Sequence, residues 1–254
     1  MIDRREQVLA HVVLGVFALI ALAPVAKIAL DAGSVARAWE EGNFETYLRS
    51  SAIVTAAVVA VSTLLSVLAG YAFGLMRFRG QEVLFYAVLL GLVVPLEAIV
   101  VPLYYDLRDL GLTDTYWALI LPQAALSTAF GTFWMRAFFR SVPRSLIEAA
   151  RLDGSSSWMT LWRIVLPAGR PAVLTMVVLV FMWTWNEFLL ALVMVSDESL
   201  RTAPLGLAFF QGRNTSDEAL LAAGALIVAA PVVVVYLFLQ RHFIRGMLSG
   251  AVKG

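Results

Sequence analysis

The sequence contains no cysteine and only two histidines, His11 and His242. No disulfide or thiolate metal site can therefore form, and no His/Glu spacing of a catalytic zinc site is present. The chain also lacks the G-x-x-x-x-G-K-[ST] phosphate-binding loop, so it is not expected to bind ATP itself. It contains no nucleic-acid-binding motif. Charged residues make up only 15% and apolar residues 61%, against about 25% and 45–50% in soluble domains. This composition indicates an integral membrane protein, and 254 residues fit a single domain, 1–254.

Six apolar runs are long enough to cross a bilayer. The first could be a cleaved signal peptide, because Ala21-Leu22-Ala23 resembles a cleavage site, but Pro24 and the length of the run favour a retained helix. Pro95 and Pro102 are expected to kink or break the third run. We predict an all-α membrane protein with transmembrane helices at 11–30, 50–76, 82–105, 116–135, 171–195 and 218–239.

The positive charges are distributed asymmetrically along this six-span arrangement. Thirteen of the 19 Lys and Arg residues fall on the side that holds the two termini and the loop 136–170, and six fall on the other side. Because Lys and Arg near span ends mark the cytoplasmic side, both termini and that loop are predicted to be cytoplasmic.

The loop 136–170 contains a polar stretch, 141–170, which we call the platform. Pro143 suits the start of one helix, and Gly154 is placed to end it, because glycine enters the left-handed conformation without strain. The serines at 155–157 can cap a second helix, which Leu166-Pro167 is predicted to end. That helix carries an apolar stripe at helical spacing: Trp158, Leu161, Trp162 and Val165.

The platform resembles the EAA signature of ABC importer permeases, E-A-A-x-x-x-G followed after nine residues by I-x-L-P. Every specified position is present here: Glu148, Ala149, Ala150, Gly154, Ile164, Leu166 and Pro167. Less specific features are similar to the carbohydrate-uptake branch, and within it to the second permease of the maltose and glycerol-3-phosphate type. They cover nearly the whole chain: Pro95, Glu97, Pro102-Leu103, the run 185–188, Pro231 and the ending 250–254.

The resemblance implies a type I ABC importer permease without a cofactor of its own, in a prokaryotic plasma (inner) membrane. Its partners would be a homologous second permease, two cytoplasmic ATPase subunits and an extracytoplasmic solute-binding protein. The platform residues of the signature would dock on an ATPase and drive alternating access, the alternative being a surface helix packed on neighbouring spans. The tail would reach between the ATPase subunits, although a frayed basic end is the ordinary interpretation: Ala251, Val252, Lys253 and Gly254.

Polar residues at membrane depth mark a candidate translocation pathway. Glu97 lies between two prolines in the third span, and Asn186 and Glu187 follow Trp183 in the fifth. Aromatic faces with hydroxyl-bonding groups suit a sugar. The alternatives are helix-to-helix bonding or, for Trp183, an interfacial aromatic belt.

The predicted outer loop 196–217 is apolar and contains glycines, and in the resembled family the matching loop contacts the solute-binding protein. The residues that would do so here are Leu205, Gly206, Phe209 and Gln211. The loop could instead pack over its own bundle.

Three other functions stay open at this stage. The same scaffold could import an amino acid or a peptide, although the run 185–188 and the terminal motif favour a sugar. A stand-alone secondary transporter or channel is disfavoured, because no inverted pair of interrupted helices is recognisable. A membrane enzyme lacks candidate catalytic or metal-binding groups.

Overall fold

The computed structural model describes residues 4–30, 32–213 and 217–251, and within these ranges the chain is helical and contains no strand. The all-α prediction is therefore confirmed. The helices are α1 (Arg4–Leu30), α2 (Ala32–Glu41), α3 (Phe44–Leu75), α4 (Gln81–Val93), α5 (Leu96–Asp109), α6 (Tyr116–Ser141), α7 (Arg144–Leu152), α8 (Ser157–Met159), a π-helix (Thr160–Val165), α9 (Leu166–Ala168), α10 (Arg170–Trp185), α11 (Leu189–Met194), a 3₁₀ turn (Glu198–Leu200), α12 (Ala203–Arg213) and α13 (Glu218–Ala251).

Three of these helices, α3, α6 and α13, are long and apolar enough to cross a membrane by themselves. Two further apolar units are bent: α4 and α5 meet at 97°, and the segment Ser157–Ala168 meets α10 at 79°. Counting each bent pair as one span gives up to five, and α1 adds a shorter apolar stretch, Leu9–Ile20. Length and composition thus support a multi-span membrane protein.

Small residues let α3 and α6 approach closely at the centre of the bundle. A Cβ added at Gly70 would lie 2.5 Å from Met135 Cβ, and one at Gly131 would lie 2.8 Å from Met176 Sδ on α10. Val58, Met135 and Met176 are buried in the main apolar core that these three helices share. Close packing of this kind holds membrane helices together, because lipid tails provide no hydrophobic driving force between them.

The third predicted span breaks where its first proline predicts. Val94 and Pro95 separate α4 from α5, since proline disfavours helical backbone in the preceding residue. Pro102 lies inside α5 without interrupting it. The predicted break is therefore confirmed at Pro95 only.

Two segments outside the predicted spans contain helices. The segment 31–49 holds α2 and the start of α3, and the outer loop holds α12. These elements share a second apolar core at the end of the bundle opposite the platform: Ala38, Phe44, Tyr47, Ala203, Phe210, Leu220, Ala223 and Val228.

Helix α6 continues past the predicted end of the fourth span, at residue 135, to Ser141. Arg136 is therefore a helical residue, and its side chain is only 8% exposed. A span predicted from hydropathy ends at the first arginine. In the folded chain, Arg136 stays inside the helix because its charge is paired with Glu82.

Candidate functional site

The first platform helix, α7, begins directly after Pro143. Its signature residues lie on two different faces of the helix. Ala150 is buried against the bundle together with Ile147, whereas Glu148 and Ala149 are exposed. Glu148 forms no ion pair with any residue that the structure describes. One face of α7 therefore anchors the helix, and the other exposes a carboxylate that has no ion-pair partner among the described residues.

Gly154 ends α7 in the way the sequence predicts. Its φ of +77° is left-handed, its N–H donates to the Arg151 carbonyl oxygen (3.0 Å), and the Ser155 N–H donates to that of Ala150 (2.9 Å). This pattern satisfies carbonyl groups that a helix end leaves free. A Cβ at Gly154 would meet no atom within 4 Å, so the requirement for glycine comes from the backbone angle alone.

The predicted cap of the second platform helix is confirmed at Ser156, whose hydroxyl accepts from the Met159 N–H (3.3 Å). Only part of the apolar stripe is buried: Leu161 and Val165 are buried, whereas Trp158 is 63% exposed. Trp162 is half-buried and stacks edge-on against Trp158 at 5.4 Å.

The prediction that Leu166-Pro167 ends this helix is wrong. The backbone passes through a π-turn at Thr160–Val165, continues to Ala168 and turns at Gly169. Pro167 falls in the first turn of the segment after the π-turn, a position where a missing N–H is tolerated. Ile164 and Leu166 are half-buried and Pro167 is exposed, so the I-x-L-P part of the signature forms the base of the platform.

The sequence did not point to an ion-pair cluster at the platform end of the bundle. Arg136 Nη2 donates to both carboxylate oxygens of Glu82 (2.6 and 2.7 Å), and Arg140 Nη2 adds a third bond to Glu82 (3.0 Å). Arg136 Nε–H also donates to the Phe73 carbonyl oxygen (3.1 Å), and its guanidinium lies 3.6 Å from the centre of the Phe85 ring. The cluster ties α3, α4 and α6 together one turn before the platform. The sequence does contain a signal for this cluster: Glu82 starts the third predicted span, and the oppositely charged Arg136 directly follows the fourth.

The candidate pathway residues fall into two groups. Glu97 is exposed in the first turn of α5, and no hydrogen bond or ion pair joins it to another described residue. Trp183 is exposed on α10 with its ring edge-on to Phe130 (4.8 Å). Asn186 is exposed just after α10 and donates to the Met182 carbonyl oxygen (2.7 Å).

Glu187 has a structural task that the sequence left open. Its carboxylate accepts from the Leu190 N–H (2.7 Å) and the Ala191 N–H (3.2 Å), which caps α11 after the break at Asn186–Phe188. Two helix N–H groups would otherwise be unsatisfied at this depth. The break that interrupts the fifth predicted span is therefore stabilised by its own acidic residue.

In the outer loop, the candidate residues differ in accessibility. Leu205 is fully buried and Gly206 packs against the Tyr47 ring, so both fasten α12 to α3. Phe209 is 42% exposed beneath the Arg201 guanidinium (3.8 Å), and Gln211 is exposed. Of these four described residues, only Phe209 and Gln211 are exposed.

Asp114, in the turn before α6, fixes the start of the outer loop. Its carboxylate accepts from the Ser196 N–H (2.8 Å) and the Asp197 N–H (2.9 Å). In the tail, Ala251 ends α13, and Val252, Lys253 and Gly254 lie outside the described residues.

Comparison with known proteins decides the family. Residues 62–249 match the family of binding-protein-dependent transport system inner membrane components. The chain belongs to this family. The match spans α3 to α13 and includes the whole platform.

Several relatives are similar over most of their length. The chain is 40% identical over 217 residues to a probable ABC transporter permease, YurM, of Bacillus subtilis, covering 85% of this chain and 72% of that protein. It is 34% identical over 220 residues to the trehalose transport permease SugB of Mycobacterium tuberculosis, covering 84% and 80%. It is 34% identical over 213 residues to the trehalose/maltose transport permease MalG of Thermococcus litoralis, covering 84% and 77%.

The fold also matches a solved structure. A chain of a bacterial ABC transporter involved in import of the acidic polysaccharide alginate superposes with a TM-score of 0.77 at 24% identity, over 96% of this chain and 99% of that one. The family member described here is therefore an ABC transporter permease with the fold of a solved importer.

Proposed function

We propose that this chain is a transmembrane permease subunit of a binding-protein-dependent, ATP-driven sugar importer. The observation that carries the proposal is the platform, where the complete signature folds into a helix, a left-handed glycine turn and a capped second helix. Its exposed Glu148 forms no ion pair among the described residues, as expected of a surface that binds another subunit.

Sugar is the substrate class that the relatives favour. The relatives SugB and MalG are named for the transport of trehalose and of trehalose/maltose. A further relative, the permease AraQ of Halalkalibacterium halodurans, is named for arabinooligosaccharides, so all three are named for saccharides. No described feature of the chain favours an amino acid or a peptide over these. The exposed Trp183 face beside Asn186 offers a stacking surface and an amide for hydroxyl groups, which suits a sugar path lined by this chain and a second permease.

We place six spans in a prokaryotic inner membrane, with both termini and the platform cytoplasmic. The sixth span is completed by α1, whose apolar stretch is shorter than the others. The orientation rests on the excess of Lys and Arg at the platform end. In this arrangement, Glu148, Ala149 and the Gly154 turn meet one of two ATPase subunits, while Ala150, Ile164, Leu166 and Pro167 support the contact from within.

The outer surface would receive the solute-binding protein through Phe209 and Gln211. Leu205 and Gly206 would act indirectly, by holding α12 on α3. The tail 251–254 would contact the ATPase pair beyond the end of α13. Glu97 would face the pathway or the second permease from the start of α5.

Charge reversal at the platform tests this proposal. Glu148→Arg should abolish co-purification of an ATPase and sugar uptake, because the exposed carboxylate would become a cation facing the same partner. Glu40→Arg, an equal charge change on exposed α2 at the opposite end, should leave both intact. Full ATPase binding and uptake by Glu148→Arg would refute the docking assignment.

The substrate is tested with the assembled complex. Its ATPase rate should rise with a binding protein loaded with trehalose, maltose or an arabinooligosaccharide, and should not rise with one loaded with an amino acid or a peptide. Stimulation by the latter alone would overturn the sugar assignment while leaving the importer assignment in place.

A further inference from the structure

A basic cavity lies between the platform and the ends of three helices. It has a volume of about 840 Å³, within the range of about 300–1,000 Å³ of small-molecule sites. It lies where α3 ends at Leu75, α4 begins at Gln81 and α6 ends at Ser141, and α7 closes one side. Four arginines and a single acidic residue line it: Arg77, Arg140, Arg144, Arg151 and Glu148.

The positive charge of this cavity is not balanced inside the described chain. Arg140 pairs with Glu82, but Arg77, Arg144 and Arg151 form no ion pair with any described residue. Four arginines around one space favour an anion with several oxygen atoms, and phosphate matches guanidinium geometry well.

The rest of the lining indicates that this phosphate belongs to a lipid. Leu75, Met76, Val142 and Ile147 also line the cavity, and a free phosphate ion would gain nothing from these apolar groups. Met76 and Phe78 are exposed on either side of Arg77, and Val83 and Leu84 continue the exposed apolar surface along α4. A phospholipid satisfies both halves of the site, with its phosphate on the arginines and its acyl chains along the apolar surface.

The depth of the cavity supports the same occupant. It lies where the spanning helices α3 and α6 end, which is the level of lipid headgroups. Basic pockets between helices on the cytoplasmic side are a recognised form of anionic-lipid site. We propose that this cavity binds the headgroup of an anionic phospholipid, such as phosphatidylglycerol, from the cytoplasmic leaflet. This inference rests on the proposed orientation.

The test uses the full-length chain in its purified assembly, delipidated and titrated with phosphatidylglycerol or phosphatidylcholine, with bound lipid counted by native mass spectrometry. Phosphatidylglycerol should bind more tightly. Arg77→Gln and Arg144→Gln should each weaken it about fivefold, since one surface arginine contributes about that factor to anionic-lipid affinity. Arg79→Gln is the matched control, because it removes the same charge from the same short loop but does not line the cavity.

Three results would overturn the proposal: equal binding of phosphatidylcholine, an equal effect of Arg79→Gln, or complete displacement of the lipid by an equal concentration of inorganic phosphate. Lipid binding that appears only after the ATPase subunits are stripped from the assembly would also overturn it and would assign the cavity to an acidic protein segment. Unchanged melting temperatures of the variants would show that the fold is retained.

The orientation is tested separately, so the two failures are distinguishable. The chain has no cysteine, and a single Phe78→Cys can therefore be probed in intact cells with a membrane-impermeant thiol reagent. Protection from the reagent supports the cytoplasmic placement. Labelling from outside would refute the orientation even if lipid binding in detergent persisted.

Discussion

Replacing Arg136 by methionine should destabilise the bundle more than any other single charge removal at the platform end. The side chain is almost fully buried, and methionine keeps its apolar volume while removing three interactions at once: the bonds to Glu82, the bond to the Phe73 carbonyl oxygen and the contact with the Phe85 ring. Hydrogen bonds from a charged donor contribute about 1.5–3 kcal/mol, and a cation over a ring about 0.5–2 kcal/mol.

Several features of the cluster reduce that sum. Gln81 Nε2–H also donates to the Phe73 carbonyl oxygen (2.7 Å), so that oxygen keeps a partner. Glu82 is 52% exposed and retains Arg140, and the burial of a guanidinium carries its own desolvation cost. We therefore expect a loss of about 2 kcal/mol of unfolding free energy. For a chain of this size the loss corresponds to a melting temperature lower by about 4–8 °C.

The seven tryptophans allow thermal unfolding of the detergent-solubilised protein to be followed by intrinsic fluorescence. Arg136→Lys should fall between the wild type and Arg136→Met, because an ammonium cannot reach Glu82 and Phe73 together. Arg140→Met is the control, since it removes a half-exposed partner of the same carboxylate and should change the midpoint little. Equal destabilisation by the two methionine variants, or an unchanged midpoint for Arg136→Met, would refute the assignment of Arg136 as the central member of the cluster.

Further predictions concern packing, the platform turn and pH. Gly131→Ala should lower the unfolding free energy by about 1–3 kcal/mol, because its Cβ would meet Ser66 and Met176, whereas Gly91→Ala, with only a 3.9 Å neighbour, should not lower the melting temperature. Gly154→Asn should keep most sugar uptake and Gly154→Val should lose it, because asparagine tolerates positive φ and a β-branched residue does not; equal uptake by the two would argue against the left-handed turn. The Ser199 N–H donated to Asp197 lowers the pKa of that carboxyl, so its stabilising effect is present above the unfolded pKa and is lost as pH falls through the lower folded value. The melting temperature of Asp197→Asn should therefore fall less than that of the wild type on acidification below about pH 4, and parallel pH curves would contradict this.

Local rules made much of the platform readable from the sequence. A glycine after an amphipathic run predicts a left-handed helix end, and a serine before the next run predicts a cap; Gly154 and Ser156 take these roles. The break at Pro95 follows from the same kind of local steric restriction. These features depend on a few consecutive residues, so the rest of the fold does not need to be known.

The features that differ from the sequence-based predictions depend on contacts between residues that are far apart in the sequence. The sequence predicts a loop from residue 136 because a charge normally ends a span, but Glu82, 54 positions away in the sequence, offsets the charge of Arg136 inside the bundle. For Leu205 and Gly206 the sequence leaves open whether they contact a partner or pack over the bundle, and Tyr47 on α3 gives α12 an internal packing partner. Burial of a charge or of a glycine-containing apolar helix is decided by a contact that no local window contains.

Glu187 shows how such a contact can change the interpretation of a polar group in a membrane. An acid at this depth indicates a functional site when its bonds are unknown, but here two backbone N–H groups of α11 occupy its oxygens. Glu97 and Trp183 have no comparable structural task among the described contacts. The pathway assignment is therefore best tested first at Glu97 and Trp183, where a loss of transport would not be confused with a loss of the broken helix that Glu187 stabilises.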